Sequence, residues 1–473
     1  MRRTTTIIFL CLAAGLAAQW QPETALTTNA TDQNTGGGNG WNLAASGDTL
    51  HTVWVDERDL DYEIYYKRST DGGLTWGADT RLTLSSGISN AVTLAAAGDQ
   101  VYIVWSDQRN GNFNSELYFK GSVDGGATWG ADMRLTTDAE ESEEATLAVE
   151  GNTLHLAWMD TRSGNYEIYY LRSPNGGLTW DPLVQLTNDP AAQKNAAIAV
   201  QGNSVQLAYI DFTSVGNVVH TRSNDGGTSW EPAVQLTFNT TYTVEPTIAV
   251  SGSNVHLAWS DQREYATGDF EIFYRRSTDA GASWGPDVRL TTALELSKRP
   301  SIAASGSFVH LAWHDERNGE AEIYYKRSMD DGANWAADLR LTNEPAPSIE
   351  PSVCTSGSVV HLVWQDEREG NWDVFHAMDP AGNAVGVMEF TAQPVLLIAP
   401  NPVDRSFTLQ CSDLLVGTRI TVRDMTGREV RVPIAINTNK AVIDASVLSP
   451  GTYTITARTT AGTITQRFMK EQP

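Results

Sequence analysis

The stretch ATLAVEGNTLHLAWMDTRSGNYEIYYLRSPNGGLTWDPLVQLT, residues 145–187, decides the fold. Its segments ATLAVEG, NTLHLAWMD, YEIYYLRS and LVQLT alternate apolar and polar residues or carry β-branched and aromatic types. Gly, Asn and Asp separate them, so the stretch predicts four short strands joined by turns, with no helical periodicity.

The same unit recurs along the chain. Its marker, W-x-D-x-R, stands at Trp54–Arg58, Trp105–Arg109, Trp158–Arg162, Trp259–Arg263, Trp313–Arg317 and Trp364–Arg368, with a degenerate copy at Tyr209-Ile210-Asp211-Phe212-Thr213. Successive markers are 51, 53, 51, 50, 54 and 51 residues apart, which gives seven units. Four strands at this period predict an all-β fold, a seven-bladed β-propeller over residues 19–390. Units one to six end in W-x-x-x-x-x-L-T, as in Trp76–Thr83, and unit seven has no such strand. WQPETALT, residues 20–27, fits the pattern and is expected to supply the outer strand of the seventh sheet.

Arg2 and Arg3, the apolar run 7–16 and the small Ala17 and Ala18 have the layout of a signal peptide, residues 1–18. The run is too short to span a bilayer. Cys354 and Cys411 fall in different domains, so neither a disulfide framework nor a cysteine-rich metal site is expected. The chain carries 33 basic and 57 acidic residues, a net charge of −24, and residues 394–473 carry nine against six. The acidity therefore belongs to the repeats, which repel nucleic acid and anionic membrane.

Between the third and fourth strands of six units lies S-x-D-x-G-x-x-W, at 69–76, 122–129, 173–180, 223–230, 277–284 and 328–335. Its acidic position holds Asp71, Asp124, Asn175, Asp225, Asp279 and Asp330, and Ala280 replaces a Gly in the fifth copy. The carboxylate can accept from turn amides, Gly permits positive φ, and Trp covers the hairpin rim. The motif resembles the Asp-box, or BNR repeat, of sialidase-type propellers. The resemblance implies a peripheral fold staple on the face away from the ligand site.

Function is expected where the units differ. The shared W-x-D-x-R residues should pair with each other or brace the next blade, and His51, His155, His256, His310 and His361 read as structural. Counting back fourteen residues from each marker gives Gly40, Ala91, Glu144, Asn195, Glu245, Arg299 and Glu350. One step earlier stand Asn39, Asn90, Glu143, Lys194, Val244, Lys298 and Ile349, and one step later Trp41 is the only aromatic. Trp41, Asn90, Glu144, Lys194, Asn195, Glu245, Lys298, Arg299 and Glu350 are the candidate ligand-binding residues, lining a funnel suited to a glycan or other extracellular ligand. An adhesive or scaffolding role without such a site is a further alternative.

Sialidase-like hydrolysis is another alternative, with Arg299, Glu245 and Glu350 as catalytic candidates. Family chemistry uses an arginine triad, a Tyr nucleophile with its Glu, and an Asp acid/base. The F/Y-R-I-P motif is absent, Arg299-Pro300 is a faint echo of it, and seven units depart from the six blades of sialidases. No cofactor is expected. The acidic stretches 56–63 and 140–144 suggest calcium, but Arg residues lie within or beside the first and the ligand spacing is irregular.

From residue 394 the repeat gives way to IAPNPVDRSFTL, ITVRDMTGREV, LSPGTYTITARTTAG and ITQRFMK, which predict a small Ig-like β-sandwich. Pro400-Asn401-Pro402, Asp424–Arg428, Leu448–Tyr453 and Phe468–Lys470 resemble the C-terminal sorting domain of the type IX secretion system. The resemblance implies export through that machinery, to the medium or the outer cell surface.

Overall fold

The computed structural model contains two compact units, Met1–Asn383 and Ala384–Pro473. It describes residues 20–28, 31–34, 42–59, 61–111, 114–213, 215–263, 269–293 and 295–382 of the larger, and 397–399, 405–410, 419–424, 428–437, 440–459 and 462–470 of the smaller. The expected signal peptide and Trp41 lie outside the described residues.

No helix occurs among the described residues. Among the described residues the larger unit holds seven antiparallel sheets, six of four strands and one of five, here numbered in chain order. Sheet three, from the opening stretch, consists of Ser142–Glu150, Thr153–Asp160, Glu167–Ser173 and Val184–Gln185. Its alternation serves two cores. Leu154, Leu156 and Trp158 pack with Tyr102, Val104 and Phe119 of sheet two, while Ala157, Met159 and Tyr170 pack with Ile198, Leu207 and Tyr209 of sheet four. Each fully buried Leu or Val is worth about 1.5–3 kcal/mol, so both faces of a strand contribute.

Equivalent cores join the remaining consecutive sheets. Sheets seven and one share one as well, with Val363 and Val374 against Leu43, Trp54 and Tyr65. The outer strand of sheet seven comes from the N-terminal segment: Thr24 pairs with His376 and Ala25 with Phe375. Leu26 N–H donates to Val374 at 2.7 Å, and the Thr27 hydroxyl to Asp373 at 2.8 Å. The first strands of all seven sheets line one cavity of about 280 Å³, walled by small and aliphatic residues such as Ala95, Ala199 and Ala303.

The Asp-boxes staple as their chemistry requires. The Ser122 hydroxyl donates to Asp124 at 2.8 Å, and Thr128 N–H does so at 2.8 Å. The Thr128 hydroxyl, donating at 2.6 Å, and then these two bonds hold the exposed Asp124 carboxyl down at about 2. Asn175 keeps the geometry, accepting from Thr179 N–H at 2.9 Å. The Trp does more than cover its own hairpin: Trp129 sets its edge on Tyr66 of the preceding sheet, with ring centroids 5.0 Å apart. Trp180, Trp230 and Trp335 repeat this on Phe119, Tyr170 and Tyr274.

This contact explains the second Gly of the box. At Gly126, φ is 77° and a Cβ would stand 1.9 Å from Tyr66 Oη. The first Gly has room at Gly72 and Gly125, and Ala280 and Asp331 stand at the equivalent position at φ 55° and 56°.

Among the described residues the smaller unit holds two four-stranded sheets. Phe407, Val422, Ala441, Ile443, Leu448 and Ile455, drawn from both sheets and a connecting segment, form its core. Arg428 N–H donates to the Asp424 carboxylate at 3.1 Å, joining the two ends of the D-M-T-G-R motif. Pro400–Pro402 lie outside the described residues.

Candidate functional site

The shared marker is a closed set of contacts. The Trp158 indole donates to Asp160 at 2.9 Å, and Arg162 grips Asp160 through its backbone N–H, Nε and Nη2. The guanidinium lies over Tyr169 at 4.8 Å. The other five W-D-R sets repeat this, for example Trp105, Asp107 and Arg109 over Tyr118. The second contact of the Arg often goes to its own sheet, as Arg109 to Asp132 at 2.8 Å, rather than to the next one. At sheet four Tyr209 has no indole N–H, and Asp211 instead accepts from Thr213 and Gln193.

The strand histidines are likewise internal. His155 Nδ1 meets the Tyr170 hydroxyl at 2.7 Å, and burial pushes the ring down to about 4, keeping it neutral. His51 and His256 match it in both contact and direction.

The residues selected by counting back occupy an unusual backbone. In sheets two to seven the ladder between the first two strands slips at these positions, for example between Asn90 and Thr93 and between Val244 and Thr247. The residue in the bulge takes positive φ every time: Ala91 47°, Glu144 48°, Asn195 53°, Glu245 59°, Arg299 55° and Glu350 53°. Left-handed non-Gly residues are uncommon, and bulges re-aim side chains. Six equivalent bulges thus present four kinds of side chain: Ala, Asn, Arg and, three times, Glu.

Sheet one departs from the count. Gln33 pairs with Asp56 and Asn34 with Val55, and pairing resumes only at Leu43 with Thr52. Eight residues, 35–42, separate Asn34 from Leu43 in the sequence where two separate the paired residues elsewhere, so Asn34, not Asn39, is the counterpart of Asn90.

Several of these residues meet. Arg299 Nε lies 3.1 Å from Glu245 and its Nη2 3.8 Å from Glu350. Arg299 N–H donates to Glu245 Oε2 at 3.0 Å, and the Asn195 amide donates to Glu144 at 3.1 Å. Burial, helped by neighbouring Glu143, raises the Glu144 carboxyl. Lys194 and Lys298 stand apart from these pairs, each 4.0 Å over a ring, Tyr166 and Phe270 respectively. Asn90 lies opposite Ser106 in the ladder.

A second variable position completes the site: the middle residue of W-x-D. Ser260 donates to Glu245 at 2.8 Å, Gln365 donates to Glu350, and half-buried His314 accepts from Glu350 N–H at 3.5 Å. Burial pushes His314 down to about 4. The sequence does carry a signal for these residues, because Val55, Ser106, Met159, Ile210, Ser260, His314 and Gln365 differ between fixed neighbours.

The acidic loop 56–63 uses its carboxylates internally: Asp56 binds Arg58, and Asp59 lies 2.8 Å from Arg81. Among the described residues no group of three or more His, Cys, Asp or Glu is arranged around a metal position.

These features define an all-β chain of four-stranded antiparallel sheets with propeller-like relatives. The chain belongs to the BNR repeat-like domain family, whose model matches residues 6–266. Residues 397–471 match the secretion system C-terminal sorting domain, which directs type IX secretion to the cell surface or extracellular space. No curated protein matches the chain. Among solved structures, an ulvan lyase of a new polysaccharide lyase family is similar at 11% identity and TM-score 0.54, covering 73% of this chain and 93% of that one. A Hadza microbial sialidase has 16% identity and TM-score 0.44, covering 69% and 73%, and the phage phi92 endosialidase 9% and 0.49, covering 96% and 88%.

Proposed function

We propose that the chain is an exported seven-bladed propeller, residues 19–390, that binds a glycan at the face carrying the bulge ring, and that residues 394–473 form an Ig-like sandwich serving as the sorting tail. Seven sheets, a core between each consecutive pair and a further core between the last and the first support the blade count. A signal peptide at residues 1–18 fits the export route.

One observation carries the binding reading. The bulge residues share a backbone conformation yet differ as Ala, Glu, Asn, Glu, Arg and Glu, so the scaffold repeats while the chemistry it presents does not. Carboxylates, an amide and ring-backed lysines suit a polyhydroxylated ligand.

Sialidase-like hydrolysis is the second reading and has thinner support. Arg299 is already paired with Glu245 and Glu350, which leaves its guanidinium a poor clamp for a sugar carboxylate. Tyr166 donates to Glu141 at 3.2 Å, but burial and nearby carboxylates push its hydroxyl up to about 12.

The test incubates the secreted full chain with a mixed glycan library and reads retained glycans and new products by mass spectrometry. Intact retained glycans are expected. Released terminal sugar acids would turn Arg299, Glu245 and Glu350 into catalytic residues, and neither retention nor release would leave an adhesive or scaffolding role.

A further inference from the structure

Two sheet junctions differ by one carboxylate. Between sheets five and six, the Ser260 hydroxyl and Arg299 N–H converge on Glu245 Oε2, at 2.8 and 3.0 Å. Between sheets two and three the same positions hold Ser106 and Glu144, and Ala91 stands where Glu245 does. The backbone is conserved, with φ of 47° at Ala91 against 59° at Glu245, and 48° at Glu144 against 55° at Arg299. By this equivalence the Ser106 hydroxyl and Glu144 N–H correspond to the two donors, and a methyl group stands in place of their acceptor.

The consequence is visible at Ser106. Its side chain is buried, the residue being 1% exposed, and Oγ has no hydrogen-bond partner. Buried hydroxyls are ordinarily paired, and an unmet donor beside a recognition surface favours whatever ligand supplies the acceptor.

We propose that this notch over Ala91 is a ligand subsite that receives a neutral acceptor oxygen, the amide carbonyl of an N-acetylated sugar, between the Ser106 hydroxyl and Glu144 N–H. The proposal rests on the glycan-binding reading above and specifies its ligand. A carbonyl oxygen has two lone pairs and can accept both donors at once. A charged carboxylate fits the notch less well, because the Glu144 side chain adjoins it and Glu143 acts on Glu144 as a like charge. The one bulge-ring guanidinium, Arg299, is held by Glu245 and Glu350.

The experiment titrates the secreted full chain by calorimetry with three probes: the trimer of N-acetylglucosamine, its deacetylated form and a glucuronate trimer. The N-acetylated trimer is expected to bind at least about tenfold more tightly than either of the others, as for a site whose buried donors need an acceptor. Ala91→Glu places a carboxylate where Glu245 has one, but beside Glu144 instead of an arginine; it should lower the melting temperature by no more than a few degrees and weaken the N-acetylated trimer by about tenfold or more. Ser106→Ala removes one donor and should weaken it several-fold, which keeps a test in hand if Ala91→Glu fails to fold. Wild-type affinity in both variants would overturn the notch while leaving the glycan reading intact. Preferred binding of the glucuronate trimer would overturn the ligand class. No trimer bound although the library yields retained glycans would overturn this proposal alone; no trimer bound and nothing retained would sink both.

Discussion

The W-D-R clusters and the bulge ring occupy equivalent places in successive sheets, yet they obey opposite rules. Six clusters repeat one set of contacts, Trp to Asp, Asp to Arg, Arg over an aromatic ring, as at Trp158, Asp160, Arg162 and Tyr169. The ring repeats only a backbone conformation and changes its side chains from sheet to sheet. Repetition of side chains marks what every sheet needs; repetition of backbone with varied side chains marks a surface free to specialise.

The contrast breaks most visibly if the shared parts are removed. Deleting residues 20–27 strips the outer strand from sheet seven and Leu26 from the core between sheets seven and one. The melting temperature should fall by about 5 °C, since a few kcal/mol are lost and each moves it by no more than about 2 °C in a domain of this size. An unchanged value would refute the role of this strand.

Gly126→Ala drives a Cβ into Tyr66 Oη and should cost about 2–4 kcal/mol in denaturant unfolding. Gly125→Ala, with its nearest neighbour at 3.9 Å, should cost only about 1 kcal/mol. Equal losses would mean that packing between sheets does not set the second Gly. Trp158→Tyr removes the indole donor to buried Asp160 and should cost about 1–3 kcal/mol.

Acid should act on the shared parts too. The folded state lowers His51, His155, His256 and His361 to about 4 from an ordinary 6.5, through burial. Below pH 6.5 the unfolded chain takes up protons that the folded chain refuses, so this stability is complete above pH 6.5 and is lost as pH falls towards about 4. A scan of melting temperature should therefore decline from pH 6.5 to 5, where the Asp-box carboxylates, held at about 2, are still ionised. A flat profile would contradict neutral burial of these rings.

The smallest effects belong to the surface. Glu245→Gln should change stability by less than about 1 kcal/mol, because the Arg299 pair is partly solvated. Added calcium should leave the melting temperature unchanged, since Asp56 and Asp59 already serve Arg58 and Arg81.

Much of this was legible in the sequence. The marker intervals gave the units, the L-T pattern at residues 20–27 gave the strand that pairs with Asp373–Asp379, and counting back reached the bulges of six sheets. The bulges themselves were hidden, because Glu144, Asn195 and Arg299 adopt a conformation that no Gly there announces. Sheet one misled the count because eight residues, 35–42, separate its paired Asn34 and Leu43 where two do so elsewhere, so a fixed offset landed on Asn39 rather than Asn34. Ser260, His314 and Gln365 escaped notice because attention to the fixed Trp and Asp passed over the variable residue between them.

The most direct test of the central claim compares glycan binding and melting temperature in the secreted chain and a Glu144→Gln/Glu245→Gln/Glu350→Gln variant. Loss of glycan binding with a melting temperature within about 2 °C of the parent is the predicted result, separating recognition from scaffold. Undiminished glycan binding in the variant would contradict it and move the ligand site away from the bulge ring.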